Sequence, residues 1–427
     1  MSHASDVCIT GAGAVCGAGR TVDAIWDAIV CGHSAIAPIS RWDSSEWPAR
    51  YAAEVTNIDS RTLVEDRKLH KLISRTDLFG LYAADGAIMQ SGLPAYRETL
   101  PPEAAAHFND RCGVFAGSGG GNYQNNYDFF PLLSMAGGSI ETFGRELQNS
   151  VNPMWLLRNL PNNVLCHIGI RHNFRGVNAC ITQQCVGGAL AVAEAAAALR
   201  VGEADRAVAV GHDTPLEPET VLHYHRLGLM SEDTLRPFDA ARRGTIFGEG
   251  AAAVVLEASA QARNRQPKIL GEFLGSGCAT EAAGVVEVRA DGEGLARAIQ
   301  LALDDASMSS DSVGFIVAHG NGTRASDASE AAAIHRVFGS DPPPVTAFKW
   351  AFGHLVAASG TLDLVMALRA LKSGIVPGVA TFRASDPDLH PLPVSADPQK
   401  PRSDVALVLS RGFAAMNLAL LVRAHED

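Results

Sequence analysis

Three side chains, widely separated along the chain, could together form a nucleophilic site. Cys185 stands directly before a long Ala-rich run, His319 follows a strand-like segment and precedes Gly320, and His354 follows Gly353 at the start of another apolar segment. A thiol can hold an acyl group as a thioester, and an imidazole can donate a hydrogen bond or transfer a proton near neutral pH. Together these residue types suggest covalent acyl-transfer chemistry.

The element that would position Cys185 is the run Ala189 to Leu199, which is almost entirely apolar and is followed by Gly202. This pattern predicts a buried helix that ends near Gly202, with Cys185 where the chain enters it. Unpaired backbone N–H groups at a helix start favour a thiolate, so we expect a reactive sulfur. The alternative interpretations are that Cys185 packs as a small apolar residue and that His319 and His354 are structural histidines.

The length and patterning of the chain predict two α/β halves. A chain of 427 residues is longer than one hydrophobic core usually serves, and strand-like and helical segments alternate in both parts of the sequence. Residues 257–268 are polar and lack hydrophobic periodicity, which is typical of a boundary. We therefore predict a first half over residues 1–257, carrying the cysteine, and a second half over residues 258–427, carrying the histidines.

Composition and motifs exclude several classes of protein. A formal net charge of −11 argues against general nucleic-acid binding. The eight cysteines lack paired spacing, and neither a signal peptide nor a membrane span is visible, so we expect a soluble cytoplasmic protein with reduced thiols. Cys180 and Cys185 have no second ligand pair, so no metal site is predicted. The spacing of Gly11, Gly13 and Gly17 does not fit a dinucleotide-binding loop.

Beyond these separate features, an ordered set of residues from Val7 to Arg423 resembles the β-ketoacyl-[acyl carrier protein] synthases, in particular the KAS I/II-like ketosynthases of the thiolase-like superfamily. The resemblance implies a duplicated αβαβα layered fold with mixed five-stranded sheets. The residues that carry it are Gly117 to Gly121, Cys185 with Gly188, Arg236 to Asp239, Gly248 to Gly250, His319 with Gly320, Thr323, Asp327 and Glu330, Lys349, Gly353 with His354, and Gly412 with Phe413 and Asn417.

The resemblance also implies an acyltransferase reaction. Cys185 would take an acyl group from the phosphopantetheine of an acyl carrier protein, and a decarboxylative Claisen condensation with malonyl carrier would extend it. His319 and His354 would bind the extender carbonyl, while Lys349 would orient them with Glu330 as its ion-pair partner. The backbone N–H groups of Cys185 and Phe413 would form an oxyanion hole. No cofactor would be bound by the protein itself.

Other residues receive supporting roles from the same resemblance. Phe413 would gate the site, with Gly412 and Asn417 beside it, and Asn321 and Thr323 would contact the phosphopantetheine arm. The absence of a side chain at Gly120 would enlarge the acyl pocket for long or rigid chains. We interpret residues 122–176 as an insertion that covers the site rather than as part of the core.

Recognition of an acidic carrier protein by an acidic enzyme requires a local basic surface. Arg67, Lys68, Lys71 and Arg75 fall close together, and the last three can share a helix face. In the resembling synthases this segment lies near the carrier docking surface. The alternative is an ordinary solvated helix face. The family also implies a homodimer or a heterodimer with a ketosynthase-like subunit.

Two other functions remain open on the same fold. A chain-length-factor-like accessory subunit would pair with an active ketosynthase and catalyse nothing, but such subunits usually lose the nucleophile, which is retained here. A starter-unit acyltransferase would be expected to carry Asn in place of His354. Departures from the family pattern at Gln184, Asn321, Arg411 and the pair Ala414 and Ala415 favour a type II polyketide or polyene pathway over housekeeping fatty-acid synthesis.

Overall fold

The computed structural model describes residues 7–119, 129–413 and 416–425. Gly120, which was predicted to shape the acyl pocket, lies outside these residues, as do Ala414 and Ala415. The strands are β1 (Val7–Cys16), β2 (Ala37–Pro38), β3 (Tyr51–Ala52), β4 (Cys112–Ser118), β5 (Asn178–Ile181), β6 (Arg206–Asp213), β7 (Gly250–Ala258), β8 (Gly271–Thr280), β9 (Phe315–Val317), β10 (Val345–Thr346), β11 (Val405–Gly412) and β12 (Met416–Ala424).

The sheet topology is duplicated, as the family resemblance implied. In the described residues, ten strands form one sheet in the order β10-β9-β11-β12-β8-β1-β7-β6-β4-β5. If the five sheet strands of each half are numbered in chain order, their order from the outer edge of the sheet to its middle is third, second, fourth, fifth, first. This order is the same in both halves. Parallel pairs such as β4 with β5 and antiparallel pairs such as β6 with β7 occur together, so the sheet is mixed.

One detail of the predicted fold was wrong: the two sets of five strands are not separate sheets. Val7–Ile9 at the start of β1 pairs antiparallel with Gly271–Phe273 at the start of β8, which joins the halves edge to edge. The pairing satisfies backbone groups that two separate sheets would leave at exposed edges. The predicted domain boundary between residues 257 and 258 stays a prediction.

The helices fill the connections between these strands. They are α1 (Val22–Val30), α2 (Ser60–Leu63), α3 (Arg75–Ser91), α4 (Leu93–Glu98), α5 (Pro102–Asp110), α6 (Phe130–Met135), α7 (Ile140–Ser150), α8 (Trp155–Arg158), α9 (Asn163–His172), α10 (Gly187–Arg200), α11 (Pro218–Arg226), α12 (Ser259–Arg265), α13 (Glu293–Asp305), α14 (Arg324–Phe338), α15 (Lys349–Phe352) and α16 (Ser359–Ser373). None of those described combines the length and apolar character needed to cross a membrane.

Alternating side chains along the strands divide the core into layers. Val208 and Val210 of β6 pack with α3 and α9, while the intervening Ala207 and Ala209 face the central helices α10 and α16. In the second half, Leu407 of β11 packs with α13 and α14, and Val408 faces the central helices. Successive side chains of a strand point to opposite faces, so helices pack on both faces of each five-strand set. The result is a layered α-β-α-β-α arrangement.

The predicted buried helix is confirmed as α10, which ends just before Gly202 with its left-handed φ of 75°. Its small residues allow close approach to α16. A Cβ placed on Gly360 would lie 2.6 Å from the Cβ of Ala189, and one on Gly188 would lie 2.4 Å from the carbonyl oxygen of Ala357. Since no real Cβ tolerates such distances, the Ala- and Gly-rich composition is needed for the two central helices to pack side by side.

The interpretation of residues 122–176 as a covering insertion was wrong for its C-terminal part. Val164 and Ile168 of α9 are fully buried and pack against α3. By contrast, α7 buries none of its residues within the described chain. The segment therefore combines a surface helix with a core helix.

Candidate active site

Cys185 is held at a constrained turn that leads into α10. Gln184 adopts a left-handed φ of 47° and opens a 3-10 turn over Gln184–Val186. The amide nitrogen of the Gln184 side chain donates a 2.8 Å hydrogen bond to the carbonyl oxygen of Gly119, and the Ser410 hydroxyl donates to the Cys185 carbonyl oxygen at 3.1 Å. A left-handed conformation in a non-glycine residue is strained, and these two contacts hold it in place.

The electrostatics of the thiol differ from the sequence-based expectation. Cys185 is only 6% exposed, and burial, followed by the negative charge of Asp213, raises its pKa to about 12. Lys349 acts in the opposite direction but is outweighed. The resting sulfur is therefore a thiol, and its position at the helix start alone does not produce a thiolate.

His354 is fixed in one tautomer by its surroundings. Gly353, with φ 72°, lets the chain turn, and the Val356 N–H then donates to His354 Nδ1 at 3.0 Å. The Ser359 hydroxyl oxygen lies 3.0 Å from the same nitrogen and accepts a hydrogen bond from the Leu355 N–H at 2.9 Å. Because Nδ1 accepts from a backbone N–H, the proton of the neutral ring is on Nε2.

His319 is oriented in the same way by different groups. The Arg411 N–H points at His319 Nδ1 at 3.4 Å, which favours the same Nε2 tautomer. The backbone N–H groups of His319 and Gly320 donate to the Glu330 carboxylate at 2.7 and 2.9 Å, which fixes the turn. The His319 and His354 rings lie 5.2 Å apart at 79°.

The charge state of both histidines is set by their burial. Burial, followed by the neighbouring Lys349 ammonium, holds the pKa of His319 and of His354 well below the ordinary value. Both rings are therefore neutral at physiological pH. Two neutral imidazoles that carry their protons on Nε2 can donate to one oxygen without desolvating a cation.

The predicted partner of Lys349 was wrong. The Lys349 ammonium, 0% exposed, donates to Asp363 Oδ2 on α16 at 2.8 Å, whereas Glu330 is occupied by the backbone of His319 and Gly320. Asp363 interrupts the apolar pattern of α16, where an unpaired carboxylate would be costly. That interruption was the sequence signal for the true partner.

A cavity of about 100 Å³ brings seven of the predicted site residues together. Cys185, His319, His354, Asn321, Thr323, Gly412 and Phe413 all contribute to its wall. The Asn321 side-chain oxygen accepts from both the N–H and the hydroxyl of Thr323 at 2.9 Å, at the start of α14. A Cβ on Gly412 would lie 3.5 Å from the Cys185 Cβ, so this glycine lies directly beside Cys185.

Phe413 stands between this cavity and a larger one of about 700 Å³, since it lines both. Its ring lies 5.2 Å from that of Tyr224. The strand before it is fixed by a buried ionic cluster that sequence reasoning missed: Arg411 donates to Glu281 at 2.7 Å and to Asn417 at 2.8 Å. The predicted supporting role of Asn417 thus has a physical basis in its contact with Arg411.

Lys68, Lys71 and Arg75 do not share one helix face. Leu69–Lys71 is a 3-10 turn and α3 begins only at Arg75, so that prediction was wrong. Arg75 turns inward, donating to the buried Glu249 at 2.8 Å and to the Val55 carbonyl oxygen at 2.8 Å. Arg67, Lys68 and Lys71 are exposed, next to the exposed Glu65 and Asp66.

Sequence reasoning also missed the residue that most affects the thiol. Asp213, at the end of β6, accepts hydrogen bonds from the N–H groups of Thr214 and Ala357 at 2.8 and 3.3 Å, and burial raises its pKa to about 7. Its position could not be read from the chain, because it approaches Cys185 only through strand pairing. No group of His, Cys, Asp and Glu suited to a metal ion occurs in the described part of the chain.

The duplicated layers and the shared cavity have the architecture of thiolase-like condensing enzymes, and family models agree. The Beta-ketoacyl synthase N-terminal domain model matches residues 4–262, and the Beta-ketoacyl synthase C-terminal domain model matches residues 270–383. The chain therefore belongs to the β-ketoacyl synthase family.

Individual proteins are similar over nearly the whole chain. Nodulation protein E of Rhizobium leguminosarum bv. trifolii is 30% identical over 413 residues, covering 96% of both chains. The 3-oxoacyl-[acyl-carrier-protein] synthase 2 of Coxiella burnetii is 28% identical over 437 residues, covering 99% of both. Among solved structures, the ishigamide ketosynthase/chain length factor matches with a TM-score of 0.86 and 28% identity, covering 99% of this chain and 100% of that one.

Proposed function

We propose that this protein is a β-ketoacyl-[acyl carrier protein] synthase that extends an acyl chain by decarboxylative Claisen condensation. The observation that carries the proposal is that Cys185, His319 and His354 line one small cavity, with both imidazoles neutral and oriented by backbone N–H donors. Membership of the β-ketoacyl synthase family supports the same reaction class.

In the first half-reaction, the Cys185 sulfur attacks the thioester carbonyl of an acyl carrier. A new S–C bond forms on the enzyme, the carrier S–C bond breaks, and the proton of the thiol ends on the carrier thiol. Because burial raises the Cys185 pKa to about 12, the proton must leave as the S–C bond forms. The Cys185 and Phe413 N–H groups are assigned to the oxyanion hole.

In the second half-reaction, malonyl carrier binds with its thioester oxygen between the two imidazoles. The bond to the carboxylate carbon breaks, carbon dioxide leaves, and the electron pair becomes an enolate that accepts hydrogen bonds from His319 and His354. The enolate carbon attacks the acyl–Cys185 carbonyl, which releases the thiolate to take a proton from solvent. Lys349, paired with Asp363, holds positive charge beside this site without contacting bulk water.

An acyl carrier protein is the proposed partner. Cys185 lies in a cavity of about 100 Å³, a size suited to a thin arm such as phosphopantetheine, and Asn321 and Thr323 line the same cavity. The exposed Arg67, Lys68 and Lys71 supply local positive charge on a chain of net charge −11. The similarity to a 3-oxoacyl-[acyl-carrier-protein] synthase supports this partner.

A dimer is the proposed assembly, in a cytoplasmic setting. The region of α6 to α8 exposes several large apolar side chains, among them Phe130, Leu133, Ile140 and Leu156. A second copy or a ketosynthase-like subunit would cover them, since contiguous apolar patches on stable proteins usually mark interfaces. The similarity to a ketosynthase/chain length factor supports a heterodimer as the second form. An accessory role for this chain lacks such support because the three reactive side chains are retained.

The deciding experiment is intact-protein mass spectrometry after incubation with an acyl carrier thioester. We expect a mass increase equal to the acyl group, located at Cys185 by peptide mapping and absent in Cys185→Ala. Cys180→Ser is the matched control, since Cys180 is a half-buried cysteine near the same turn and should leave acylation unchanged. Acylation at another residue, or none at all, would exclude the proposed mechanism.

A further inference from the structure

A further cavity, of about 580 Å³, shares no lining residue with the cavity of Cys185 or with the larger cavity beyond Phe413. It lies at the junction of the two halves. Because β8 begins opposite Ile9, the later residues of β1 continue without β8 beside them, and Thr10 and Gly13 among them line the cavity wall. This cavity is therefore a candidate site separate from the catalytic one.

Two helices, one from each half, supply much of the wall. We call the cavity between them the seam cleft. Its lining includes Tyr82, Asp85, Gly86 and Met89 of α3, and Val365, Leu368, Arg369 and Lys372 of α16. Both sets follow the helical spacing i, i+3, i+4 and i+7, so each is a continuous stripe on one face of its helix. With Leu63 and Leu270, the stripes give the seam cleft an extended apolar surface beside its charged groups.

The charge in the seam cleft is positive, although the whole chain carries a formal net charge of −11. Four basic residues and two acidic residues line it: Arg20, Lys268, Arg369, Lys372, Asp23 and Asp85. Both carboxylates are already paired. Asp23 lies 2.8 Å from Arg369, and Asp85 is paired with Arg171 and His172, neither of which lines the cleft.

The other three cations have no carboxylate partner among the described residues. The Arg20 guanidinium donates to the carbonyl oxygens of Thr56, at 3.2 Å, and of Asn57, which fixes the side chain without neutralising its charge. Lys268 and Lys372 are exposed, and neither ammonium forms an ion pair within the described chain. Such flexible ammonium groups can turn toward an anion that enters the cleft.

A glycine inside a helix keeps the seam cleft open. Gly86 is an exposed residue in the middle of the 17-residue helix α3, where glycine is less stable than alanine. Packing does not require it, because a Cβ on Gly86 would meet only the Gly13 Cα, at 3.6 Å. On Gly80 of the same helix, by contrast, a Cβ would lie 2.9 Å from the Val164 methyl groups. A side chain at Gly86 would occupy cleft volume instead.

We propose that the seam cleft binds a small phosphate ester with an apolar or aromatic body, of the kind represented by a nucleoside diphosphate. Guanidinium and ammonium groups donate charge-assisted hydrogen bonds to phosphate oxygens, and Arg20, Lys268 and Lys372 can share the negative charges of a diphosphate. The apolar stripes cover the body of the ligand. A volume of about 580 Å³ is typical of a small-molecule site and exceeds what a lone anion needs.

Isothermal titration calorimetry of the full chain with adenosine diphosphate, inorganic phosphate and adenosine tests the proposal. We expect the diphosphate to bind about tenfold or more tightly than either fragment, because it uses the cations and the apolar wall together. Its affinity should fall as salt concentration rises. Cys185→Ala should bind equally well, so the outcome is independent of the proposed reaction. Absence of diphosphate binding, or equal binding of diphosphate and inorganic phosphate, would overturn the proposal.

Lysine variants locate the bound diphosphate. Lys268→Ala and Lys372→Ala should each weaken its binding by about tenfold, the factor expected for one charge-assisted hydrogen bond. Lys400→Ala removes an exposed lysine outside the cleft and should leave the affinity unchanged. An equal loss of affinity in all three variants would mean that only the net charge matters, and the seam cleft would not be the site.

A variant that fills the seam cleft gives a readout opposite to that of damage to the fold. Gly86→Leu should abolish diphosphate binding while the melting temperature stays level or rises, because leucine is the better helix former. Gly144→Leu, at an exposed glycine of α7 with nothing within 4 Å of a Cβ, should leave binding unchanged. Diphosphate binding that persists in Gly86→Leu would show that the ligand lies elsewhere.

Discussion

The two halves of the molecule use the same local structure for different purposes. In each half, a 3-10 turn that begins with a left-handed residue leads into a central helix: Gln184 at 47° before α10, and Val356 at 44° before α16. In the second half the short helix α15 lies between the third strand, β10, and this turn. In the first half the turn presents a side chain, that of Cys185. In the second half it presents backbone N–H groups, which orient His354 and bind the Asp213 carboxylate.

This difference suggests how a duplicated scaffold becomes an asymmetric site. The start of a central helix offers unpaired N–H groups in both halves. In the second half Val356 directs its N–H to the His354 ring, so this turn determines which nitrogen of His354 carries the proton. In the first half the corresponding residue is Gln184, and Cys185 follows it directly. We therefore expect substitutions in the two turns to affect different half-reactions.

The largest effect should come from the histidines of the second half. His319→Ala and His354→Ala each remove an Nε2–H donor from the enolate, and loss of one such donor elsewhere costs about 10²–10³ in kcat. Condensation with malonyl carrier should fall by that factor. Acylation of Cys185, followed separately by mass spectrometry, should stay within about threefold because neither ring is assigned to that step.

A matched control is His335→Ala, which removes a partly exposed histidine from α14 in the same half. It should leave both half-reactions unchanged. If His354→Ala slowed acylation as much as condensation, the division of labour between the halves would be refuted.

The next effect should come from Ser359, the first residue of α16. Its hydroxyl oxygen lies 3.0 Å from His354 Nδ1 and accepts from the Leu355 N–H, so Ser359→Ala leaves a buried N–H unsatisfied. We expect condensation to fall about tenfold and the free energy of unfolding to fall by about 1–2 kcal/mol.

Ser373→Ala, at the other end of the same helix, is the control. Its hydroxyl only donates to the Ala370 carbonyl oxygen and it is exposed. A condensation rate that falls equally in both variants would mean that Ser359 acts through helix stability and not through His354.

Asp213 connects the two halves, because its carboxylate accepts hydrogen bonds from Thr214 in the first half and Ala357 in the second. Its substitution should change the reactivity of the Cys185 thiol by less than the two preceding substitutions change condensation. Its carboxylate raises the Cys185 pKa, so Asp213→Asn should lower that pKa and speed alkylation by iodoacetamide several-fold above pH 7. The measurement is the pH profile of the alkylation rate. Asp305→Asn, at a surface ion pair with Arg200, is the control. An unchanged profile would show that burial alone sets the thiol pKa.

The same substitution has a defined pH dependence for stability. Burial raises the Asp213 pKa from 3.8 to about 7, so between these values the folded protein holds a proton that the unfolded chain has lost. This group's contribution to the free energy of unfolding therefore falls as pH rises from about 4 to about 7. Asp213→Asn lacks the titration, so its stability relative to the natural protein should rise across that window in urea titrations.

Some features of the fold and the site could be predicted from the sequence, and others could not. The helix α10 and the alternation of strands and helices followed from apolar runs, because periodicity is a local property of the sequence. The family followed from ordered motifs at fixed intervals, and the duplication of the fold followed only from the family resemblance. The residues that line one cavity were named by the resemblance. The hydrogen-bond partners of these residues were harder to predict. The only sequence signal for Asp363 was a charged residue in an apolar helix, and we predicted Glu330 instead of Asp363 as the partner of Lys349.

The misses share a physical cause. Whether Arg75 points to solvent or to Glu249, and whether Asp213 approaches Cys185, depends on strand pairing between segments far apart in the chain. The direction of the thiol pKa depends on burial, which a position at a helix start does not reveal. The edge-to-edge joining of the halves depends on pairing of Val7–Ile9, which no local pattern indicates.

The smallest expected effect compares the two left-handed residues directly. Glycine at either position relieves backbone strain, which stabilises the fold by about 1 kcal/mol, and raises the entropy of the unfolded chain, which destabilises it by about 1 kcal/mol. These two free energies therefore largely cancel. Gln184→Gly also loses the hydrogen bond to Gly119, worth about 1 kcal/mol. Val356→Gly instead loses a side chain that is 3% exposed, worth about 2 kcal/mol. Urea unfolding should therefore show Val356→Gly as the less stable variant by about 1 kcal/mol.

The two substitutions should slow different half-reactions. Gln184→Gly loosens the turn that holds the sulfur, so acylation of Cys185 should fall a few-fold with the condensation of pre-acylated enzyme unchanged. Val356→Gly loosens the N–H that fixes His354, so condensation should fall and acylation should not. If both variants slowed the same half-reaction, the two turns would act as one unit, and the asymmetry between the halves would lie only in the side chains.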